Sequence, residues 1–126
     1  MSGFSFDSNI IIDALAGHEP ARSEIRRATG RGARVWISRM VWIEVLSKGT
    51  PEQIRRAEIL LSGFGLDEID AEVAARAAGL RRERPGLKAP DAIVLATAMS
   101  RGRVLVTRNA KDFPAEMPGI RVPYTL

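Results

Sequence analysis

The chain has 126 residues, 45% of them hydrophobic, with 19 Lys and Arg against 15 Asp and Glu and a formal net charge of +4. The lack of cysteine excludes disulfide scaffolds and cysteine-ligated metal sites, and a single histidine, His18, disfavours histidine-rich zinc or copper sites. A metal ion in this protein would therefore be a hard cation held by carboxylate oxygens, such as Mg²⁺ or Mn²⁺.

In the first half of the chain, short apolar runs alternate with helical patterns. A strand is predicted at Gly3–Phe6, followed by a helix that Ser8 or Asn9 caps and that ends near Ala16. The elements predicted next are a helix at Glu19–Thr29, a strand at Arg34–Ser38, a helix at Arg39–Ser47 and a helix from Pro51 to about Ser62.

The second half of the chain continues this alternation. A strand is predicted at Gly65–Ile69, and Asp70 is a suitable cap for a helix that ends near Arg84. The remaining elements are a helix that Pro90 and Asp91 open and Gly102 closes, a strand at Arg103–Thr107 and a weaker strand at Ile120–Val122.

The order of the elements predicts an α/β fold with a short, mainly parallel sheet of four to five strands and helices on both faces. The apolar runs Val35–Ile37 and Val104–Val106 are typical of strands that are buried on both sides. We find no internal repeat and no linker-like change in composition, so we expect one domain over residues 1–126. In such folds ligands bind beyond the carboxyl ends of the strands, which directs attention to the residues after each strand.

The hydropathy pattern gives no sign of a membrane segment. No stretch reaches the roughly 18 uninterrupted apolar residues that a span needs. The first residues also lack the basic-then-apolar order of a signal peptide. We therefore expect a soluble protein of the cytoplasm that does not associate with membranes.

Basic residues gather in three parts of the sequence. Such clusters suit a polyanionic partner, although each is also explained by a solvated helix face, and both interpretations stay open here. The clusters are Arg22, Arg26, Arg27, Arg31 and Arg34; Arg81, Arg82, Arg84 and Lys88; and Arg101, Arg103, Arg108 and Lys111.

Three acids stand out because their neighbours are apolar: Asp7 after the first strand, Glu44 inside the helix after the second, and Asp91 at the start of the last helix. Separately, these acids could turn the chain, face solvent or favour a helix N-terminus. Together at one edge of a sheet they would repel one another unless a cation neutralised them. Mg²⁺ is the natural cation, and such a cluster suits hydrolysis of a phosphodiester by a metal-activated water.

Four motifs in order along the chain resemble PIN-domain ribonucleases, and in particular the VapC toxins of bacterial and archaeal toxin–antitoxin modules. They are Asp7-Ser8-Asn9, Trp42-Ile43-Glu44-Val45, Pro90-Asp91-Ala92-Ile93, and the segment from Leu105 through Thr107, Asn109 and Asp112 to Phe113. The resemblance covers the whole chain, and its strength is the ordered set, since each motif alone is weak.

The resemblance implies a three-layer α/β/α PIN-like domain and a metal-dependent endoribonuclease that uses Mg²⁺ or, as a substitute, Mn²⁺. It places Asp7 and Asp91 as metal ligands, with Glu44 near them to bind a second ion or to position water. It also implies an RNA substrate, a small VapB-like antitoxin and a homodimer in a prokaryotic cytoplasm.

One position departs from the family pattern. Many PIN domains have an acid two residues after the Thr that ends the fourth strand, whereas here that residue is Asn109. The toxin branch also has the Thr-Arg-Asn-x-x-Asp-Phe form, so we take Asp112 as the fourth catalytic acid; its alternative role is to cap a turn before Pro114. We expect Asn9, Thr107 and Asn109 to orient substrate or water.

Other conspicuous residues are given structural roles. We expect Asp13 to face solvent on the first helix and His18 to lie in a loop. The apolar segment Ile54–Leu61 and Trp42 carry more hydrophobic surface than one face buries, so we expect them to contribute to a dimer or to a groove for an antitoxin peptide.

Two other functions remain as alternatives. A PIN scaffold with a decayed site could act as an RNA-binding or interaction module, although the presence of Asp7, Glu44 and Asp91 argues against it. A phosphoryl-transfer enzyme or receiver domain that uses Asp7 as phosphoacceptor is disfavoured, because the paired acids that those classes need are missing after the first strand.

Overall fold

A computed structural model of the chain describes residues 3–30, 32 and 34–126. The predicted strands are all present, but each is shorter than expected. They are β1 Phe4–Phe6, β2 Val35–Ser38, β3 Gly65–Asp67, β4 Val104–Val106 and β5 Ile120–Arg121. The helices are α1 Ser8–Leu15, α2 Glu19–Gly30, α3 Arg39–Leu46, α4 Pro51–Leu61, α5 Ala71–Glu83 and α6 Ala89–Arg101.

The strands form one five-stranded parallel sheet in the order β3-β2-β1-β4-β5. The chain moves outward from β1 to β3 and then crosses back to β4, on the other side of β1. Because crossovers between parallel strands are right-handed, this reversal places the helices before and after it on opposite faces of the sheet. The predicted three-layer α/β/α fold is confirmed, and the crevice between β1 and β4 is its topological switch point.

The core lies between the sheet and the two helical layers. Phe6, Ile37 and Leu105 are at most 1% exposed, and the ring of Phe6 meets Phe64 edge-on at 5.6 Å between centroids. A side chain at Gly65 would force the Trp36 ring to move, since its Cβ would lie 2.3 Å from that ring. In the described part of the chain, no helix is long and apolar enough to cross a membrane.

The start of α1 differs from the sequence prediction. Asp7, and not Ser8 or Asn9, is the cap, because its extended backbone turns its carboxylate onto the Ser8 N–H at 2.8 Å. The other predicted helix starts agree better: Asp70 caps α5 by accepting from the Val73 N–H. Thr50 and Gln53 form a reciprocal capping box before α4.

Candidate active site

Asp7 lies at the carboxyl end of β1, beside the end of β4. Its backbone N–H donates to the Val106 carbonyl at 2.9 Å, which fixes the residue in the crevice between the two strands. The side chain is only 4% exposed. Burial raises the pKa of Asp7, although hydrogen bonds from Thr107 and Ser8 and the charge of Arg108 act against that rise.

Thr107 is the polar centre of this crevice. Its fully buried hydroxyl donates to Asp7 Oδ2 at 2.8 Å and accepts from Asn9 Nδ2 at 3.2 Å and from the Asn109 N–H at 3.0 Å. Asn9 Nδ2 also lies 3.3 Å from Asp7 Oδ2, and Asn9 Oδ1 accepts from the Arg108 N–H. Asn9 and Thr107 therefore hold the Asp7 carboxylate in one orientation.

Glu44 reaches the same place from α3. That helix begins directly after β2, where the Ser38 hydroxyl accepts from the Met40 N–H, so its side chains are set by the end of the strand. Partial burial raises the pKa of Glu44; a hydrogen bond with Ser8 lowers it, and the negative charges of Asp7 and Asp91 raise it further. Glu44 is therefore close enough to both acids for their charges to affect its pKa.

Asp91 lies in the first turn of α6, after Pro90. Partial burial raises its pKa, and the charges of Asp7 and Asp112 raise it further, against the opposing charges of Lys88 and Arg84. The predicted acids Asp7, Glu44, Asp91 and Asp112 are thus brought to one edge of the sheet, each within electrostatic range of at least one other.

The structure separates the roles of Asn109 and Asp112. Asn109 Nδ2 donates to Asp112 Oδ2 at 3.0 Å, and Asn109 Oδ1 accepts from the Asp112 N–H at 3.2 Å. Both the nitrogen and the oxygen of the Asn109 side-chain amide therefore form hydrogen bonds with Asp112. Asn109 is placed to orient Asp112, and the charge of Asp112 acts on Asp91.

The expectation for Asp13 was wrong. Its side chain is buried and pairs with Arg108, with Arg108 Nε donating at 2.6 Å, and it accepts from Tyr124 Oη at 2.8 Å. Burial alone would raise the pKa of Asp13, but the hydrogen bonds from Arg108 and Tyr124 lower it. This network supports the site indirectly. The backbone N–H of Arg108 donates to Asn9 Oδ1, and Asn9 in turn contacts Asp7. Its members are 95 and 111 residues from Asp13 in sequence, so no local pattern marks it.

The donor set suits Mg²⁺ or Mn²⁺. In the residues that the structure describes, no three His, Asp or Glu side chains are already gathered around a point that would hold a metal ion. Mg²⁺ needs only one or two direct carboxylates and keeps several of its waters. Asp7 and Asp91 supply oxygen ligands of the required kind, and their mutual repulsion is the condition that a bound cation relieves.

The basic clusters divide into paired and unpaired side chains. Several are neutralised inside the fold: Arg27 by Glu24, Arg101 by Asp70, Arg103 by Asp67 and Arg108 by Asp13. These arginines are held by carboxylates of the fold, and Arg103 and Arg108 lie outside the helices, so a solvated helix face does not describe those two. Arg31, in the first predicted cluster, lies outside the described residues.

Residues 5–115 match the family model of the PIN domain. The chain belongs to the PIN-domain family. The resemblance drawn from the sequence motifs is thus confirmed, and in this PIN domain the motif residues meet at the β1 and β4 ends. None of the proteins with curated descriptions matches the chain.

Three solved structures show the same fold. A chain of a toxin–antitoxin complex from Klebsiella pneumoniae is 37% identical with a TM-score of 0.84, and the alignment covers 97% of this chain and 98% of that one. A chain of DNA-bound VapBC from Salmonella typhimurium is 27% identical, with a TM-score of 0.77 and 96% of each chain covered. A chain of promoter-bound VapBC2 from Rickettsia felis is 22% identical, with a TM-score of 0.77 and 93% and 94% covered, and this shows the fold alone.

Proposed function

We propose that this PIN domain is a metal-dependent endoribonuclease toxin that hydrolyses RNA phosphodiester bonds and is neutralised by a small VapB-like antitoxin. The observation that carries the proposal is the meeting of Asp7, Glu44, Asp91 and Asp112 at the switch point of the sheet. The similar chain in a Klebsiella toxin–antitoxin complex supports the toxin role. A decayed scaffold would have no need for like charges to be held together at such an electrostatic cost.

Three of the acids have distinct roles in this proposed chemistry. Asp7 and Asp91 would hold Mg²⁺ or Mn²⁺, which when bound lowers the pKa of a water and offsets charge on the scissile phosphate. Thr107 and Asn9 keep Asp7 from rotating away from its ligand position. Glu44 has a raised pKa and lines the cavity of about 610 Å³ beside the site, where it would accept a hydrogen bond from the attacking water.

The antitoxin would bind a groove formed by α1, α2, α3 and α4. Two adjoining cavities of about 610 and 440 Å³ share Leu15 and Arg56 in their walls, and the larger one reaches Ser8 and Glu44. Ile12 and Ile59, which are 47% and 68% exposed, each line one of them. A peptide with apolar side chains would cover this groove and end at the acids, so it would block the RNA.

Other parts of the proposal concern assembly and location. We place the whole of residues 1–126 in one PIN domain that acts on cellular RNA in a prokaryotic cytoplasm. The exposed side chains of Trp42 and Ile43 on α3 are suited to an interface in a homodimer. Light scattering on the purified chain tests the homodimer, and a monomer at all concentrations would contradict it.

A cleavage assay tests the central activity. Purified full-length protein should cleave RNA in Mg²⁺ or Mn²⁺ and stop in EDTA, and Asp7→Asn should lower the rate by at least about 100-fold, because it removes charge from the ligand set. Glu58→Gln changes an exposed acid of α4 and is the matched control. Undiminished cleavage in EDTA, or by Asp7→Asn, would contradict the proposed function.

A further inference from the structure

A basic cleft lies next to the acids, between the loop that joins α5 to α6 and the segment after β4. It has a volume of about 430 Å³ and is formed by the main chain and side chains of residues 84–88 with Lys111 and Asp112. Asp112 is shared between the cleft and the acid site, and Lys88 and Arg84 are near enough to Asp91 to act on its charge. The cleft is therefore a direct extension of the candidate active site.

Its three cations differ from most arginines of the same regions. Arg101, Arg103 and Arg108 are neutralised by carboxylates. In the described ranges, by contrast, Arg84, Lys88 and Lys111 take part in no ion pair. Positive charge that forms no ion pair within the described residues is thus gathered in one concave place.

Arg84 adds a second and independent observation. Its Nη2 donates to the Asp112 carbonyl at 2.6 Å, which ties the guanidinium to the wall of the cleft. Its Nη1 is buried and has no hydrogen-bond acceptor among the residues that the structure describes. A buried donor without an acceptor is unfavourable, so a ligand oxygen that accepted a hydrogen bond from Nη1 would be favoured.

We propose that this cleft binds a backbone phosphate of the RNA strand, next to the phosphate that is cleaved. The inference rests on the proposed function and adds to it the path of the strand beyond Asp91 and Asp112. Guanidinium and ammonium groups are the usual partners of phosphate, and such contacts position a strand without reading its bases. The lining of the cleft shares no residue with the groove proposed for the antitoxin, so the two ligands would be separable by mutation.

RNA binding by the full-length chain tests the proposal. In an Asp7→Asn background, which prevents cleavage, the affinity for a fluorescein-labelled single-stranded RNA is measured by anisotropy from low to high salt. The additional pair Lys88→Gln and Lys111→Gln should weaken binding at least 10-fold. It should also reduce the slope of log affinity against log salt by about 0.7, the contribution of one neutralised phosphate of a single strand.

The matched control removes two other cations. Arg76→Gln and Arg82→Gln change exposed side chains of α5 and alter the net charge equally, and this pair should weaken binding less than 3-fold. An equal loss in both pairs would show that only net charge matters and would overturn the proposal. Unchanged RNA affinity together with weaker antitoxin binding would assign the cleft to an acidic protein and would also overturn it.

Cleavage kinetics with Asp7 intact separate this proposal from the function on which it rests. With wild-type cleavage established, the Lys88 and Lys111 pair should raise KM at least 10-fold and change kcat less than 3-fold. A fall in kcat alone would contradict a strand-binding role. If the wild type cleaved no RNA but the anisotropy result held, the nuclease assignment would fail and the phosphate site would stand.

Discussion

At the scale of single residues, hydrogen bonds among the side chains of the site fix their positions in the absence of a ligand. The Thr107 hydroxyl meets Asp7, Asn9 and the Asn109 backbone, and it is completely buried. Charge-bearing groups held in this way lose little freedom when a ligand arrives, which is the benefit of a preorganised site. The chemistry of Asp7 is therefore a property of its neighbours as much as of its own carboxylate.

The pair Asn109 and Asp112 gives a prediction at this scale. Asp112→Asn should lower cleavage strongly at limiting Mg²⁺ and be partly rescued by excess metal, because it removes charge near Asp91. Asn109→Ala should cost less, about 1–3 kcal/mol in transition-state stabilisation, because it only frees Asp112 to move. A metal titration of the cleavage rate compares them, and full activity of Asp112→Asn at low Mg²⁺ would contradict the assignment.

Residues also show where sequence reasoning ends. Asp7, Glu44 and Asp91 could be predicted because Asp7 follows a predictable strand, Asp91 opens a predictable helix, and Glu44 has apolar neighbours inside another. The burial of Asp13 could not, since a carboxylate on an apolar helix face is tolerated only if a cation arrives from elsewhere. Arg108 and Tyr124 meet it through the fold and not through local spacing.

At the scale of elements, one ion-pair network ties α2 to the edge strand β5. Glu24 is 5% exposed and accepts from Arg27 in its own helix, with Arg27 Nη2 at 2.9 Å, and from Arg121 in β5, with Arg121 Nε at 2.6 Å. Burial alone would raise its pKa, but the hydrogen bonds from Arg121 and Arg27 outweigh it and lower the pKa of Glu24 to about 2. The short strand β5 is held by these contacts as well as by its backbone pairing.

This network predicts a pH-dependent stability. A depressed folded-state pKa means that the contribution of Glu24 is fully present above its ordinary value of 4.5 and is lost as the pH falls towards 2. Glu24→Gln should lower the free energy of unfolding by about 2 kcal/mol at pH 7, and the difference from wild type should narrow below pH 4.5. Urea denaturation of both proteins at pH 7, 4 and 3 measures this difference in the free energy of unfolding.

The control is Glu19→Gln in the same helix. Glu19 pairs with Arg26 at the surface, where their side chains are 67% and 63% exposed, so its loss should cost about 0–1 kcal/mol. If the two variants had the same stability and the same pH dependence, the buried network would not be what fastens β5.

The elements were largely predictable, and their ends were not. Apolar runs and caps located every strand and helix, because burial on both faces and first-turn chemistry leave local signals. Strand ends depend on pairing: β3 stops at Asp67, where its register with Ser38 ends, although the predicted strand continued to Ile69. The cap of α1 was misassigned because Asp7 serves as both cap and site residue.

At the scale of the whole molecule, the groove and the cleft adjoin different acids of the site. The apolar groove past Ile12 and Ile59 leads to Glu44, whereas the cleft with Lys88 and Lys111 adjoins Asp112. The strand order that brings these walls together is not visible in any one segment. The family resemblance predicted the three layers, and the structure supplied the strand order.

The groove carries a prediction for antitoxin binding. Ile59→Asp should raise the dissociation constant of the antitoxin at least 10-fold, because it places a charge in an apolar contact, and it should leave the fold intact because Ile59 is 68% exposed. Met99→Asp introduces the same charge at an exposed position on α6, outside the groove, and should have little effect. Calorimetry measures both affinities, and equal values for the two variants would contradict the proposal that the antitoxin binds in this groove.

The most direct test of the central claim is Mn²⁺ binding, because the claim is that separate acids form one metal site. Titration of the full-length chain followed by electron paramagnetic resonance should show one strong site. Asp7→Asn and Asp91→Asn should each weaken it at least 10-fold, and Glu58→Gln should leave it unchanged. Binding of equal strength in all four proteins, or none in the wild type, would contradict the account.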